Sequence, residues 1–344
     1  MINQLSRKPH MAEKIVLVDG LFGSGKSLFS SVISSMERVE LMSFLHELEY
    51  SCILHGLGKI PIDAAKTMIR IQTDLKLYNT MMGRDVNFRP TDQSSAIKHH
   101  NPSRYFQRLL NSGDDQIPKR IKEERPILNL AVHNLLSYSE PVWEALVGRC
   151  VYINIVRHPI HMVQQQSYQM KVCMEDDGVR DFAIFYDYKG QDIPYYAYKW
   201  EEEYLDSNAT ERAIHYMDEM TRRNKRSEKK IKEKYNAEIL TVPFELFVLN
   251  PESWIQDIAS KIGSSVTNAT YRVMSEQNVP RGKVSAGLAL DEYVRYGWTP
   301  PVDGISEADE LTEKRENIAS IVNKQVLEIL DNLSEEYERN FWKP

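Results

Sequence analysis

The residues best suited to chemistry near the start of this chain are Gly20-Leu21-Phe22-Gly23-Ser24-Gly25-Lys26-Ser27. Their GxxxxGKS spacing lets a glycine-rich turn aim backbone N–H groups at an anion. The apolar run from Glu13 to Gly20 predicts a short buried strand before the loop. Lys26 to Val39 carries helical apolar spacing at Leu28, Phe29, Val32, Ile33 and Met36 after it. In that strand–loop–helix context, loop amides and a helix N-terminus together cradle phosphate. Lys26 adds a compact positive charge, and Ser27 a hydroxyl that can contact phosphate or metal.

Three later apolar runs predict further buried strands: ILNLAV (127–132), VYINIV (151–156) and EILTVPF (238–244). They end in Val132-His133, Val156-Arg157 and Phe244-Glu245. In an open parallel sheet, ligands sit outside the carboxyl ends of the strands, so these ends share an edge with the glycine loop. A histidine there can take a proton from a hydroxyl or amine near neutral pH. An arginine there can fork onto a phosphate. P-loop NTPases hold magnesium with an acid at the end of a second buried strand. Glu245 is the one strand-end acid, and Asp19 stands directly before the loop.

The elements that must position these groups alternate. Helical stretches at about 134–147, 160–172 and 251–262 follow the three later strands, and others lie at about 41–55 and 62–80. Strands alternating with helices predict an α/β, three-layer P-loop fold with a central parallel sheet. Residues 1–12 form a flexible lead-in. Residues 13–300 form the P-loop domain, with a hairpin–helix insertion over 174–235, and 301–344 a C-terminal helical segment. The insertion holds an aromatic hairpin around Lys189-Gly190 (181–198) and a long charged helix at about 199–235. A last helix is expected at about 306–340. The charge run at 222–234 interleaves bases with acids, the pattern of a solvated helix face. The polar, irregular stretch 83–102 predicts a loop. It offers Arg89, Asp92, Ser94, Ser95, Lys98, His99 and His100 as contacts for a substrate. The hairpin aromatics Phe185, Tyr186, Tyr188, Tyr195 and Tyr196 suit either an acceptor wall or plain packing.

A net charge of −6 argues against charge-driven nucleic-acid binding while leaving room for a local basic pocket. Cys52, Cys150 and Cys173 have no metal-like spacing and suit reduced thiols in a reducing compartment. No apolar run approaches the roughly 18–20 residues needed to span a bilayer, and the first residues lack a signal-peptide core. A cytoplasmic location without a membrane span is expected.

The stretch ILNLAVHNLLSYSEPVWEALVGRCVYINIVRHPIHMV resembles the sulfotransferase family's strand ending in a catalytic histidine, short helix, and strand ending in Arg-x-Pro. VPFELFVLNPESWIQDIASKIG is similar to that family's later strand, its "Tyr-Glu-Asp-Leu" turn and the following helix. Asn278-Val279-Pro280-Arg281-Gly282-Lys283 resembles its late basic-glycine loop. The resemblance covers about 13–39 and 126–285, in order. It implies a sulfotransferase using PAPS, 3′-phosphoadenosine 5′-phosphosulfate, as co-substrate, with no metal. Gly23, Ser24, Gly25, Lys26 and Ser27 would hold the 5′-phosphosulfate. Arg157, assisted by Arg281, Gly282 and Lys283, would bind the 3′-phosphate. His133 would be the general base, with Lys26 stabilising charge on the transferred group. The chain departs from the family at two places. Gly23 stands where the family has a basic residue, so that Lys26 falls at a threonine position. Gln165 stands where a phosphate-binding serine is expected, with Ser167 two residues on; Gln165 can still donate to a phosphate. The implied acceptor is a small molecule or carbohydrate. Two other readings stay open: a magnesium–ATP small-molecule kinase, and a non-catalytic nucleotide-binding regulatory protein.

Overall fold

The apolar runs pair in parallel, and the sheet they form is the frame on which the site is built. Its strands are β1 (Lys14–Gly20), β2 (Ser43–Phe44), β3 (Ile127–Ala131), β4 (Cys150–Val156) and, after a separate antiparallel hairpin of β5 (Phe185–Tyr188) and β6 (Gln191–Pro194), β7 (Ile239–Pro243). The spatial order is β2-β3-β1-β4-β7, with every pair parallel. The computed structural model describes residues 4–111, 113–175, 182–288, 294, 299–300, 302 and 304–344, excepting the side chains of 173–175. Cys173 and residues 176–181, at the start of the expected insertion and hairpin, lie outside the described residues.

Successive strand side chains point to opposite faces, so each strand feeds two cores. Val16, Val18, Ile153 and Ile155 meet α1 (Lys26–Ser34) and the later helices α10 (Phe244–Leu249), α11 (Glu252–Ile262) and α12 (Asn268–Glu276). Ile15, Leu17, Leu128 and Leu130 face α2 (His46–Gly56), α3 (Ile62–Met82), α5 (Ile117–Glu124) and α6 (Glu140–Ala145). The helix between α3 and α5, α4 (Pro102–Leu110), lies outside this cluster. The result is an α/β fold of three layers. A third cluster joins α7 (Pro159–Glu175), the hairpin, α8 (Glu201–Asp206), α9 (Ala209–Tyr235), α13 (Glu307–Ala319) and α14 (Lys324–Asn340).

Several expected helices are shorter or divided, each for a local reason. The stretch expected to be helical from 41 begins instead as β2, which pairs with Leu130 and Ala131. The helix expected at 134–147 is a 3₁₀ turn, Leu136–Tyr138, followed by the short α6. The long helix at 199–235 is interrupted at Asn208. The Asn208 side chain accepts from Thr210 and Glu211 N–H, and the Glu211 carboxylate accepts from Asn208 N–H, which starts α9 afresh. Asn323 caps α14 and divides the last helix in the same way. The charged run of α9 is a solvated face laced with ion pairs, Lys230 and Lys234 both to Glu140 among them. Among the described residues, no helix is long and apolar enough to cross a membrane.

Candidate functional site

The glycine loop occupies the turn between β1 and α1, and its glycines answer to steric demands. Gly25 caps α1 at φ +97°, a left-handed conformation that L side chains rarely adopt, and a Cβ there would sit 2.3 Å from the Phe244 ring. Gly23, at φ +84°, is approached by Gln165, whose Oε1 would lie 3.0 Å from a Cβ. The next residue along, Gln166, donates through Nε2 to Phe22 O at 2.6 Å. Helix α7 thus braces the loop from one side and Phe244 from another.

Lys26 is buried, with Nζ donating to Gly20 O at 2.7 Å and Leu21 O at 3.1 Å. Burial lowers its pKa to about 8, against the opposing pull of Asp19 and Glu49. An ammonium has three donors, and two are used on the loop itself. Among the described residues, buried Ser24 Oγ has no hydrogen-bond partner, a hydroxyl left over in the cradle. Ser27 is half-buried, and its carbonyl accepts from Ser31 Oγ at 2.9 Å.

Arg157 follows β4 and turns onto the loop. Its Nη1 donates to Gly23 O at 3.0 Å, and its guanidinium lies 4.6 Å from the Phe244 ring centroid. Arg281 approaches the same ring at 5.6 Å, so two cations share one aromatic neighbour. His161 reports the field beside them. Its pKa is pushed well down, first by burial and then by the charges of Arg157, Lys314 and His158. The late loop divides in its behaviour. Arg281 lies against Phe244 while donating to Asn278 O (3.2 Å) and Val284 O (2.9 Å), Gly282 has open space around it, and Lys283 donates to the carbonyls of Val302 (3.0 Å) and Ile305.

His133 stands just past the end of β3, the strand next to β1. Its Nδ1 lies 3.2 Å from both Glu49 carboxylate oxygens, and its backbone N–H donates to Glu49 Oε2 at 3.3 Å. A carboxylate only accepts, so Nδ1 carries the proton and Nε2 is the lone-pair nitrogen. Its ring stacks on Phe44 at 5.4 Å and on His46 at 5.9 Å. The segment after it is fixed by Asp19, which accepts from Leu135 N–H (3.1 Å), Leu136 N–H (2.8 Å) and Tyr152 O–H (2.6 Å). Burial raises the Asp19 pKa, while the Tyr152 hydrogen bond and the Lys26 charge oppose the rise.

Both acids anticipated for magnesium are thus engaged in holding the chain. Asp19 anchors the 135–136 turn. Glu245 is fully buried and accepts from His158 N–H at 3.0 Å and from Tyr337 O–H, with burial raising its pKa. Sequence patterns gave no signal for Glu49 or His46. Both lie on α2, with Glu49 84 residues before its histidine partner.

Within the stretch 83–102, His99 packs away from the glycine loop. His99 is buried, with Nε2 3.2 Å from Ser34 O at the far end of α1, and burial lowers its pKa to about 4. Eight residues of helix separate that carbonyl from Lys26, about 12 Å at 1.5 Å per residue. The hairpin aromatics pack: Tyr195 against Tyr138, and Tyr196 against Tyr216.

Together the fold and site define a phosphate-loop α/β protein with a carboxylate-held histidine on the neighbouring strand end. No protein-family model matches the chain, and no curated protein matches it. Among solved structures it is similar to the sulfotransferase domain from the Synechococcus PCC 7002 olefin synthase, at 14% identity over 97% of this chain and 98% of that one, with a TM-score of 0.47. A sulfotransferase domain from the curacin biosynthetic pathway aligns at 13% identity over 96% and 99%, with a TM-score of 0.47. The sulfotransferase STF9 from Mycobacterium avium aligns at 12% identity over 96% and 77%, with a TM-score of 0.42. Likeness of this degree carries no functional weight, and the chemistry rests on the chain's own residues.

Proposed function

We propose that this protein is a sulfotransferase that moves a sulfuryl group from a PAPS-type donor to a hydroxyl or amine of a small-molecule or carbohydrate acceptor. The observation that carries this reading is His133, presented at the strand end beside the phosphate loop with Nδ1 held by Glu49 and Nε2 left to accept a proton. The donor supplies the sulfuryl group and leaves as adenosine 3′,5′-bisphosphate.

The loop amides of Gly23 to Ser27, the N-terminus of α1 and the leftover Ser24 hydroxyl suit the 5′-phosphosulfate end. Arg157 and Arg281, which share Phe244 as a neighbour, suit the 3′-phosphate. Gln165, against Gly23, is a further amide donor beside the loop. Lys283 would need to leave the Val302 and Ile305 carbonyls to take part.

His133 Nε2 takes the acceptor's proton as the acceptor oxygen bonds to sulfur and the sulfur–oxygen bond to the phosphate breaks. The imidazolium so formed is stabilised by Glu49 through Nδ1–H. Lys26 and the loop N–H groups stabilise charge developing on the bridging and sulfuryl oxygens. These cations and amides supply what magnesium supplies in a kinase. Asp19 and Glu245, the acids a kinase would use, each accept from several protein donors instead. Residues 13–300 would act as one catalytic domain, in the cytoplasm, braced by the C-terminal helices through Tyr337.

Calorimetric titration tests the reading. Tight, metal-independent binding of adenosine 3′,5′-bisphosphate is expected. Magnesium-dependent ATP binding with no bisphosphate binding would overturn it in favour of a kinase. Bisphosphate binding without transfer to any member of a broad hydroxyl and amine panel would favour a regulatory nucleotide binder.

A further inference from the structure

His46, Glu49 and His133 do more than hold one another. Each offers a ligand atom, and those atoms all lie within 4.8 Å of one another. Glu49 Oε1 is 3.2 Å from His133 Nδ1 and 3.8 Å from His46 Nδ1. A tetrahedral zinc with bonds of about 2.0–2.2 Å needs its ligand atoms about 3.3–3.5 Å apart, so both measured edges are within a small side-chain adjustment. The two imidazole rings are nearly parallel, at 9°, and Phe44 stacks against both. The carboxylate is almost fully buried, while the side chains of His46 and His133 are 51% and 40% exposed. Glu49 Oε2 is steadied by the His133 backbone N–H, the kind of outer support that orients metal ligands. Lys26, whose charge acts on Glu49, is drawn back onto loop carbonyls.

We infer that His46, Glu49 and His133 form a binding site for one divalent cation of the zinc class. Two imidazoles and one carboxylate suit zinc, cobalt or ferrous iron and not magnesium, which prefers an all-oxygen shell. Three protein ligands with an exposed side leave a coordination position for water. The site has a consequence that rests on the proposed sulfotransferase reading. A metal on His133 Nδ1 displaces the proton that Glu49 otherwise holds there. The neutral ring then carries its one N–H at Nε2 and can no longer accept a proton. Cation binding and general-base catalysis are therefore mutually exclusive at His133, and zinc switches the enzyme off.

The site is tested by titrating the tag-free, metal-stripped full chain with cobalt(II) and reading visible absorption. One equivalent is expected to give the intense bands of a low-coordinate nitrogen–oxygen site, and one equivalent of zinc to remove them. His46→Ala and Glu49→Gln are expected to weaken binding by at least about tenfold, the loss seen even for outer-shell partners. His55→Ala on the same helix, whose Nδ1 lies 3.1 Å from Ile60 O, should leave it unchanged. In the unaltered protein, zinc is expected to shift the ring resonances of His46 and His133 together, a readout independent of whether any variant folds. Absence of cobalt binding, binding undiminished in His46→Ala, or zinc that leaves those two rings unmoved would each overturn the site. None of these results bears on adenosine 3′,5′-bisphosphate binding, so the two readings fail separately.

Discussion

The ends of β1 and β3 are neighbours in one sheet, paired through Val18 and Ala131, yet they are built to opposite plans. The β1 end is tightly packed. Lys26 is buried on two carbonyls, Asp19 accepts from three donors, and Phe244 covers Gly25. The β3 end is open. The His133 side chain is 40% exposed, and among the described residues its side chain is hydrogen-bonded by one carboxylate, Glu49 of α2. A group that must hold charge in one place gains from low dielectric and fixed dipoles. A group that must exchange a proton needs a free nitrogen within reach of substrate. The contrast separates holding from reacting across two adjacent strands.

That contrast can be broken first at its reactive end. His133→Ala is expected to lower turnover by about 10²–10⁴-fold while changing bisphosphate affinity little. Near-normal turnover on any sulfated panel compound would remove His133 from the chemistry. Glu49→Gln keeps the shape but loses the carboxylate that holds Nδ1–H and stabilises the imidazolium, and turnover is expected to fall by up to about 10⁴-fold. Unchanged turnover would reduce Glu49 to packing.

On the holding side, Gly25→Ala forces an L residue into left-handed backbone, at about 1–2 kcal/mol, and drives its Cβ into Phe244. Calorimetry should show bisphosphate affinity down by at least about tenfold, with His133 untouched. The smallest effect is a pH dependence. Lys26 has a folded pKa of about 8, below the ordinary lysine value of 10.5. Bisphosphate affinity should therefore fall as pH rises through about 8, by at most about tenfold per unit, and Lys26→Met should abolish the slope. The sign for stability is opposite. Between about 8 and 10.5 the unfolded chain binds the extra proton, so this lysine makes folding more favourable as pH rises. A bisphosphate affinity flat across this range would mean that Lys26 does not face the ligand.

Much of the frame was legible along the chain. The four long strands, the glycine loop, the hairpin at Lys189-Gly190 and the placement of His133 and Arg157 at strand ends follow from apolar runs and turn residues. The long helices at 199–235 and 306–340 were overextended, because their charged periodicity continues through Asn208 and Asn323 while capping side chains divide them. Polarity in the 83–102 stretch marks solvent or a site equally well, and the buried contact of His99 with Ser34 puts that residue at the opposite end of α1 from Lys26. The family resemblance groups Lys283 with Arg281; Arg281 lies against Phe244, and Lys283 donates to the Val302 and Ile305 carbonyls.

By itself, the sequence determined a strand, a phosphate-type loop and a helix, because contiguous residues set backbone conformation and the direction of loop amides. It also determined that a histidine and an arginine end the central strands. Only the tertiary structure decided that Glu49 holds His133, that Asp19 and Glu245 are engaged by protein donors, and that His46 completes a ligand set. Those outcomes depend on groups 84 to 133 residues apart being returned to one sheet edge. No local period encodes that return; it is set by how the helices pack across the sheet.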